Sequence, residues 1–246
     1  MSETVIITGH SYGLGAALAA AWLQNGARVL GIARGSNSAL AASYPHTLQE
    51  IRCDLANPVA VLALIHSPPF RRFCAEAERL WLFNNAGTVA PSAPLGTQAE
   101  EQITLAVNLN ITAPLLLSNA VVAEARHPDN VNIVHISSGA GRKAYAGWSI
   151  YGASKAALDR HAASAASEES GVRIVSLAPG TVDTAMQESM RRDPHFPLRE
   201  RFAKIHADGG LQNANDTALK ILAYCLSEQF GSEPIADIRT ISSLPK

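Results

Sequence analysis

An α/β fold with one doubly wound parallel sheet is the fold class this sequence predicts, and three observations predict it. Short β-rich apolar runs alternate with longer helical segments along the whole chain, as βαβ units require. A glycine-rich turn joins the first of these strands to the first helix. Neither an internal repeat nor a low-complexity tract interrupts the alternation. Right-handed crossovers between parallel strands then place helices on both faces of the sheet.

Residues 5–8 form the first β-rich run, and 9–15 lead from it into an Ala/Leu-rich helix that continues through Trp22. Asn25-Gly26 ends that helix, because glycine accepts the left-handed conformation that closes a helix C-terminus. The second strand is 28–33, a helix-like segment covers 38–44, and the third strand ends at Cys53-Asp54. Asn57-Pro58 reads as a helix start ahead of 59–66, since proline suits a first helical turn. Residues 80–84 are the fourth strand, 98–125 one long helix and 131–137 the fifth strand. Residues 150–169 are helical and close at Gly171, and 172–178 are the sixth strand. A last helix covers 216–227 and a last strand 235–241. Residues 184–213 lack clear periodicity, and a stretch of that kind in an α/β domain is a lid or binding loop. The chain, 1–246, reads as one domain.

Composition narrows the partners. The 246 residues carry 20 Lys+Arg against 21 Asp+Glu, a formal net charge of −1, with 47% hydrophobic and 17% charged residues. Such a chain can bury a sizeable core, and it offers no broad electrostatic reason to expect nucleic acid or an anionic membrane as partner. Cys53, Cys74 and Cys225 show no CxxC or Cys/His spacing, which argues against a disulfide framework and against a zinc or other metal site. The N-terminus enters a strand at once, without the basic and apolar regions of a targeting segment. The apolar runs also fall short of the roughly 18 residues of a membrane span. A cytoplasmic protein is the expectation.

The segment Thr8-Gly9-His10-Ser11-Tyr12-Gly13-Leu14-Gly15 admits two chemistries. Small residues between a strand and a helix let the backbone approach a pyrophosphate, with the helix N–H groups and dipole facing it. The same turn without a ligand is the plainer alternative. Gly9-His10-Ser11-Tyr12-Gly13 is also G-x-S-x-G, the nucleophile elbow of serine hydrolases, with Asp183 and His195 or His206 following in hydrolase order. Position favours the first reading. An elbow needs an oxyanion donor from a loop after an earlier strand, and here only one strand precedes Ser11.

Tyr151 and Lys155 stand four apart, one turn along a helix face, with Ser138 thirteen residues before Tyr151 at the end of the fifth strand. A nearby ammonium favours the phenolate and draws the tyrosine, ordinarily near pKa ~10, toward the working range. A serine at a strand C-terminus sits where ligands bind in open α/β sheets and can donate to a carbonyl oxygen. Taken alone, such a Tyr/Lys pair also fits a solvated helix face.

Together these residues resemble the short-chain dehydrogenase/reductase family, single-domain type. The motifs fall in family order: TGxxxGxG at Thr8 to Gly15, NNAG from Asn84 to Gly87, and Asn108 in the central helix. Ser138 with Tyr151 and Lys155 follows, then Pro179-Gly180-Thr181-Val182 and Thr184. The resemblance implies a Rossmann-type sheet of about seven strands in the order 3-2-1-4-5-6-7, and a dimer or tetramer built on the two long helices. It implies that Tyr151 exchanges a proton with the substrate oxygen while hydride moves between nicotinamide and the carbonyl carbon. Lys155 lowers the tyrosine pKa and binds the nicotinamide ribose, Ser138 polarises the carbonyl, and Asn108 holds a relay water.

Implied cofactor contacts are Gly9, Ser11, Tyr12, Gly13, Leu14 and Gly15, then Arg34, Asp54, Leu55, Asn84, Ala86 and Gly87. Tyr151, Lys155, Pro179, Gly180, Thr181, Val182 and Thr184 complete them. Ala33-Arg34 replaces the acidic residue that would bind a ribose 2′-OH, which favours the 2′-phosphate of NADP(H) over NAD(H). Asp54 equally suits a helix cap. Gly147-Trp148 and Ala236-Asp237 resemble the sepiapterin reductase and benzil reductase branch, so Trp148 and Asp237 are the expected substrate contacts. Trp148 also fits a packing role. The expected activity is NADP(H)-dependent reduction of a ketone or α-diketone on a bulky, aromatic or pterin-like molecule. The alternatives are hydrolysis through Ser11 and a non-catalytic NADP(H) sensor.

Overall fold

The computed structural model of the chain describes residues 3–168 and 170–241. Its strands are β1 (Glu3–Thr8), β2 (Arg28–Ala33), β3 (Leu48–Arg52), β4 (Arg79–Asn84), β5 (Val131–Ile136), β6 (Arg173–Ala178) and β7 (Ile235–Asp237). They form one parallel seven-stranded sheet in the order β3-β2-β1-β4-β5-β6-β7, the predicted Rossmann-type order. The order reverses between β1 and β4, and open α/β sheets bind ligands in the crevice beyond the strand ends at such a point.

Alternation along each strand divides the core in two. Val5, Ile7, Val29, Trp81, Phe83, Val134 and Val175 face one layer, covered by α1 (Gly13–Gln24) and α10 (Ala214–Cys225). Ile6, Leu30, Ile32, Leu80, Leu82, Ile133 and Ile174 face the other, under α3 (Pro58–Ile65), α4 (Pro68–Ala75) and α6 (Ala113–Glu124). Trp22 of α1 seals the first layer, its ring 5.2 Å from Trp81 and 5.9 Å from Phe83. Each such side chain contributes roughly 1.5–3 kcal/mol by leaving water.

The remaining helices are α2 (Ser38–Ser43), α5 (Glu100–Val107), α7 (Ser149–Ala165), α8 (Ala185–Arg192) and α9 (Arg199–Ala207). Several differ from the sequence expectation. The long central helix begins at Glu100, and at Asn108–Thr112 its hydrogen bonding widens to a π turn before α6 continues to Glu124. This 25-residue span is long and apolar enough to cross a membrane by length and composition, and it packs on the sheet through Leu117 and Val121. Helix α4 was not expected. Pro68 at its start, with Phe70, Phe73 and Cys74 buried at helical spacing, are the signals that mark it. Strand β7 stops at Asp237 instead of 241, because Asp237 accepts the Arg239 N–H on its side chain and the Thr240 N–H on its carbonyl, closing a turn. Helix α7 ends at Ala165, and Glu169, its expected last residue, lies outside the described residues. The three cysteines are buried and unpaired.

Candidate active site

The crevice at the β1/β4 switch point is stitched by Thr8. Its hydroxyl donates to the Phe83 carbonyl at 3.2 Å and accepts the Asn85 and Ala86 N–H groups at 2.9 and 3.0 Å. The chain then turns at Gly9 (φ +69) and Gly13 (φ +58), a left-handed geometry that glycine takes without strain. Gly15 is required by space, since a Cβ there would meet the Gly9 carbonyl oxygen at 2.1 Å. Tyr12 precedes α1 without a capping side chain, so the first-turn N–H groups face the crevice unclaimed by any cap. That arrangement fits a pyrophosphate.

His10 points away from the crevice into the body of the protein. Its ring occupies the space that a Cβ on Gly31 of β2 would fill. Its Nε2 lies 2.6 Å from a Glu50 carboxylate oxygen that also accepts the Asn37 N–H at 2.7 Å. Burial works to raise the Glu50 pKa, but bonds from Asn37 and His10 bring it below its ordinary value. Through this contact the glycine loop and the turn after β2 are braced to each other. Arg34 on that turn is exposed, and its carbonyl accepts from Arg52 Nε at 3.1 Å. A second guanidinium that the sequence reading missed therefore stands against the Arg34 backbone. Two strand-end arginines, one on β3 and one following β2, are the signal.

Several expected cofactor residues hold the frame of the crevice. Asn84 is buried, and its side chain contacts Ser118 at 3.2 Å and His135 Nδ1 at 3.1 Å, so its amide is turned into the protein. Asn85, one residue on, donates to the Thr8 and Gly9 carbonyls and leaves the backbone of Ala86 and Gly87 partly open. Leu55 is buried in the core. Asp54 is exposed and accepts the Ala56 N–H, while Asn57, not Asp54, caps α3. Pro179, Gly180, Thr181 and Val182 leave the end of β6, where Val182 pairs with Gln212 and closes the base of the α8–α9 segment. Thr184 begins that segment and lies 3.4 Å from where a Gly13 Cβ would stand, so it borders the glycine loop.

On the opposite wall, Tyr151 and Lys155 lie one turn apart on α7, both buried. The Ser138 hydroxyl stands close enough to the Tyr151 phenol to oppose the effect of burial on it. Ser138 also accepts the Ala140 N–H at 3.2 Å, which fixes its rotamer. Lys155 Nζ donates to the Ile136 carbonyl at 2.7 Å and sits 5.7 Å from the Tyr151 ring centroid. Burial draws the Lys155 pKa down to about 8, with Asp159 opposing. Burial also raises the Tyr151 pKa, against the expectation of a lowered one, and Ser138 supplies the opposing effect. Desolvation of the phenolate outweighs its stabilisation in this pocket.

The asparagine that reaches this group is Asn110, not Asn108. Asn110 is buried, accepts the Thr88 N–H at 2.9 Å, and donates to the Thr88 carbonyl at 2.8 Å and Ser154 Oγ at 3.2 Å. Gly87 separates it from Lys155: a Cβ there would lie 3.2 Å from Asn110 Oδ1 and 3.7 Å from Lys155 Nζ. Asn108 borders an open cavity with Asp54, Glu100 and Glu101. Two positions on a helix are about 200° apart around the axis, so only one of the pair can face the lysine.

The two expected substrate contacts are already occupied within the chain. Trp148 is buried, donates to Ser92 at 3.1 Å, stacks on Phe196 at 5.0 Å and meets Tyr151 edge-on at 5.2 Å. It packs α8 and α9 over the tyrosine instead of offering a free face. Both Asp237 oxygens bind Arg239, at 2.9 and 2.6 Å, and the arginine holds this carboxyl below its ordinary pKa. The hydrolase constellation is not assembled. Among the described residues Ser11 makes no hydrogen bond to a histidine or carboxylate, and Asp183, His195 and His206 are exposed.

Comparison with known proteins agrees with this geometry. The family model described as short chain dehydrogenase matches residues 3–195. A benzil reductase ((S)-benzoin forming) of Bacillus cereus is 31% identical over 243 residues, covering 92% of this chain and 95% of that protein. Sepiapterin reductase of Mus musculus is 30% identical over 242 residues, covering 92% and 93%. Among solved structures, a short-chain dehydrogenase/reductase from Burkholderia vietnamiensis is 39% identical with a TM-score of 0.71, covering 97% and 98%. A short-chain dehydrogenase from Sphingobium yanoikuyae in complex with NADPH is 25% identical with a TM-score of 0.77, covering 98% and 89%. With its glycine loop at the switch point, and its serine, tyrosine and lysine gathered across the crevice, the chain belongs to the short-chain dehydrogenase/reductase family.

Proposed function

We propose that this oxidoreductase is an NADP(H)-dependent carbonyl reductase that turns a ketone or α-diketone into an alcohol. The buried Tyr151 and Lys155 one turn apart on α7, with Lys155 Nζ 5.7 Å from the phenol ring and Ser138 beside the phenol, carry the reading. When bound, NADPH supplies the hydride. The chain supplies the proton and the alignment. Burial keeps Tyr151 protonated at neutral pH, the state a proton donor to a carbonyl oxygen needs. Ser138 holds that oxygen, and the Lys155 cation stabilises the phenolate left behind. Asn110, taking the role first expected of Asn108, orders the Thr88 backbone beside Lys155.

Arg34 and Arg52, with no acid at Ala33, support NADP(H) over NAD(H) through charge pairing with a 2′-phosphate. The NADPH complex of the Sphingobium relative supports the same choice. The likeness to benzil and sepiapterin reductases supports a bulky, flat carbonyl substrate. The Arg239–Asp237 pair weighs against pterin recognition through Asp237. We place the α8–α9 segment as the substrate lid, and we propose a cytoplasmic homodimer or homotetramer. The test is NADPH oxidation with a panel of aromatic diketones, repeated with NADH and with Tyr151→Phe. Turnover lost in the variant while NADPH still binds is the expected result; no NADPH oxidation by the unmodified protein on any carbonyl would refute the reading.

A further inference from the structure

Asp159 lies one turn beyond Lys155 on α7 and is buried, yet the chemistry above does not use it. Its Oδ1 accepts from Ser137 at 2.7 Å and from Ser176 at 2.7 Å, and its Oδ2 accepts from Arg142 Nε at 3.0 Å. Ser137 and Arg142 flank the strip that carries Ser138. Between them Gly141 lies flush on α7, where a Cβ would come within 2.9 Å of the Lys155 carbonyl carbon and 3.1 Å of Asp159 Oδ2. Arg142 also donates to the Ser176 and Ala236 carbonyls at 3.3 and 3.2 Å, which ties the strip to β6 and β7. Asp159 is 8% exposed but Arg142 is 30% exposed, and an ion pair open to water on one side adds little stability by itself. What it does supply is a fixed position.

We propose that Asp159 is a positioning residue for carbonyl reduction, holding the Ser138 hydroxyl against the Tyr151 phenol by clamping the chain on both sides of Ser138. The inference rests on the reductase reading for its purpose, but the clamp is testable without turnover. The groups around it are Ser137, Ser176 and Arg142 on the carboxylate, Lys155 one turn away, and Ser138 beside the phenol.

The experiment follows the Tyr151 Cζ resonance in isotope-labelled full-length protein at neutral pH, assigned through Tyr151→Phe. Asp159→Asn keeps an acceptor for the two serines and sets an amide against Arg142. It should move the resonance toward its position in Ser138→Ala and move it little further when added to Ser138→Ala. It should also lower kcat by about tenfold or more, in the range one positioned proton-transfer group supplies, with NADPH affinity nearly unchanged. Arg142→Gln breaks the same contact from the other side and decides the matter if Asp159→Asn does not fold; Arg142→Lys should restore part of the effect. An unmoved resonance in the folded variants, or an equal movement with and without Ser138, overturns the proposal. Absence of NADPH oxidation by the unmodified protein would sink the reductase reading while leaving this result to stand or fall by itself.

Discussion

Alanine at Asn110 should disable and destabilise the protein, whereas alanine at Asn108 should do neither. Asn110 makes three side-chain hydrogen bonds from a position 1% exposed. At about 1 kcal/mol for each bond, their loss amounts to about 3 kcal/mol. For a domain of this size, where each kcal/mol moves Tm by about 2–4 °C, Tm falls by about 6–12 °C. Asn108 is partly exposed with no side-chain hydrogen bond among the described residues, so its replacement stays within about 0.5 kcal/mol. The assay is thermal unfolding at one fixed protein concentration, because self-association would otherwise shift Tm. It is paired with kcat for NADPH-linked reduction, which should fall by at least about tenfold in Asn110→Ala, as for loss of a positioned catalytic contact. Equal effects of the two substitutions, or a larger one at Asn108, would refute the assignment and the helix geometry behind it.

Tyr151→Phe should lower kcat by roughly 10²–10⁴-fold, as removal of a proton donor does, with NADPH affinity by fluorescence nearly intact. Lys155, drawn down to about 8, sheds its proton in the folded protein before the unfolded chain does at its ordinary 10.5. Stability linked to it therefore rises with pH between those values, while reduction, which uses the cation, falls across the same window; Lys155→Met should abolish the stability trend in Tm measured against pH. The double variant Arg34→Ala/Arg52→Ala should raise KM for NADPH by about tenfold or more and leave NADH nearly unaffected, since a charged hydrogen bond contributes about 1.5–3 kcal/mol; equal loss with both cofactors would count against the 2′-phosphate site. Gly15→Ala drives a Cβ onto the Gly9 carbonyl, and should cost at least about 1–3 kcal/mol in stability together with nucleotide binding, read by denaturant unfolding and fluorescence titration.

The layering and the strand order were legible because period-two alternation on each strand fed two separate cores, visible in neighbours such as Ile6 and Ile7. Tyr151 and Lys155 were legible because one helical turn is a local spacing that burial cannot undo. What lay hidden depends on the third dimension. Asn108 and Asn110 both sit in an apolar helical stretch, and only the π turn and the Thr88 backbone decide which faces inward. Trp148 and Asp237 carry suitable chemistry for a substrate, but Phe196 and Arg239 claim them, one from 48 residues downstream and one from the turn after β7. The apolar residues of 184–213 showed no period because they lie on two short helices joined by a loop, with Met190 on α8, Phe202 on α9 and Phe196 between them. The sign of the Tyr151 shift was equally out of reach, since it depends on how much water the α8–α9 segment excludes.

The G-x-S-x-G run shows how one buried side chain decides between two chemistries. A serine nucleophile needs a base that accepts its proton, and the nearest imidazole in sequence is His10. That imidazole is turned inward, because Gly31 on β2 leaves room for it and Glu50 on β3 holds it at 2.6 Å. The same bond draws in the Asn37 N–H, so the turn bearing Arg34 is located by the residue that denies Ser11 its base. Space at Gly31, a carboxylate at Glu50 and a glycine-lined mouth thus act together: they turn the imidazole away from Ser11 and brace the glycine loop against the turn after β2. A side chain at position 31 would expel the ring and undo both effects, so Gly31→Val should weaken NADPH binding without creating esterase activity, and the appearance of Ser11-dependent ester hydrolysis in that variant would show the brace has been misread.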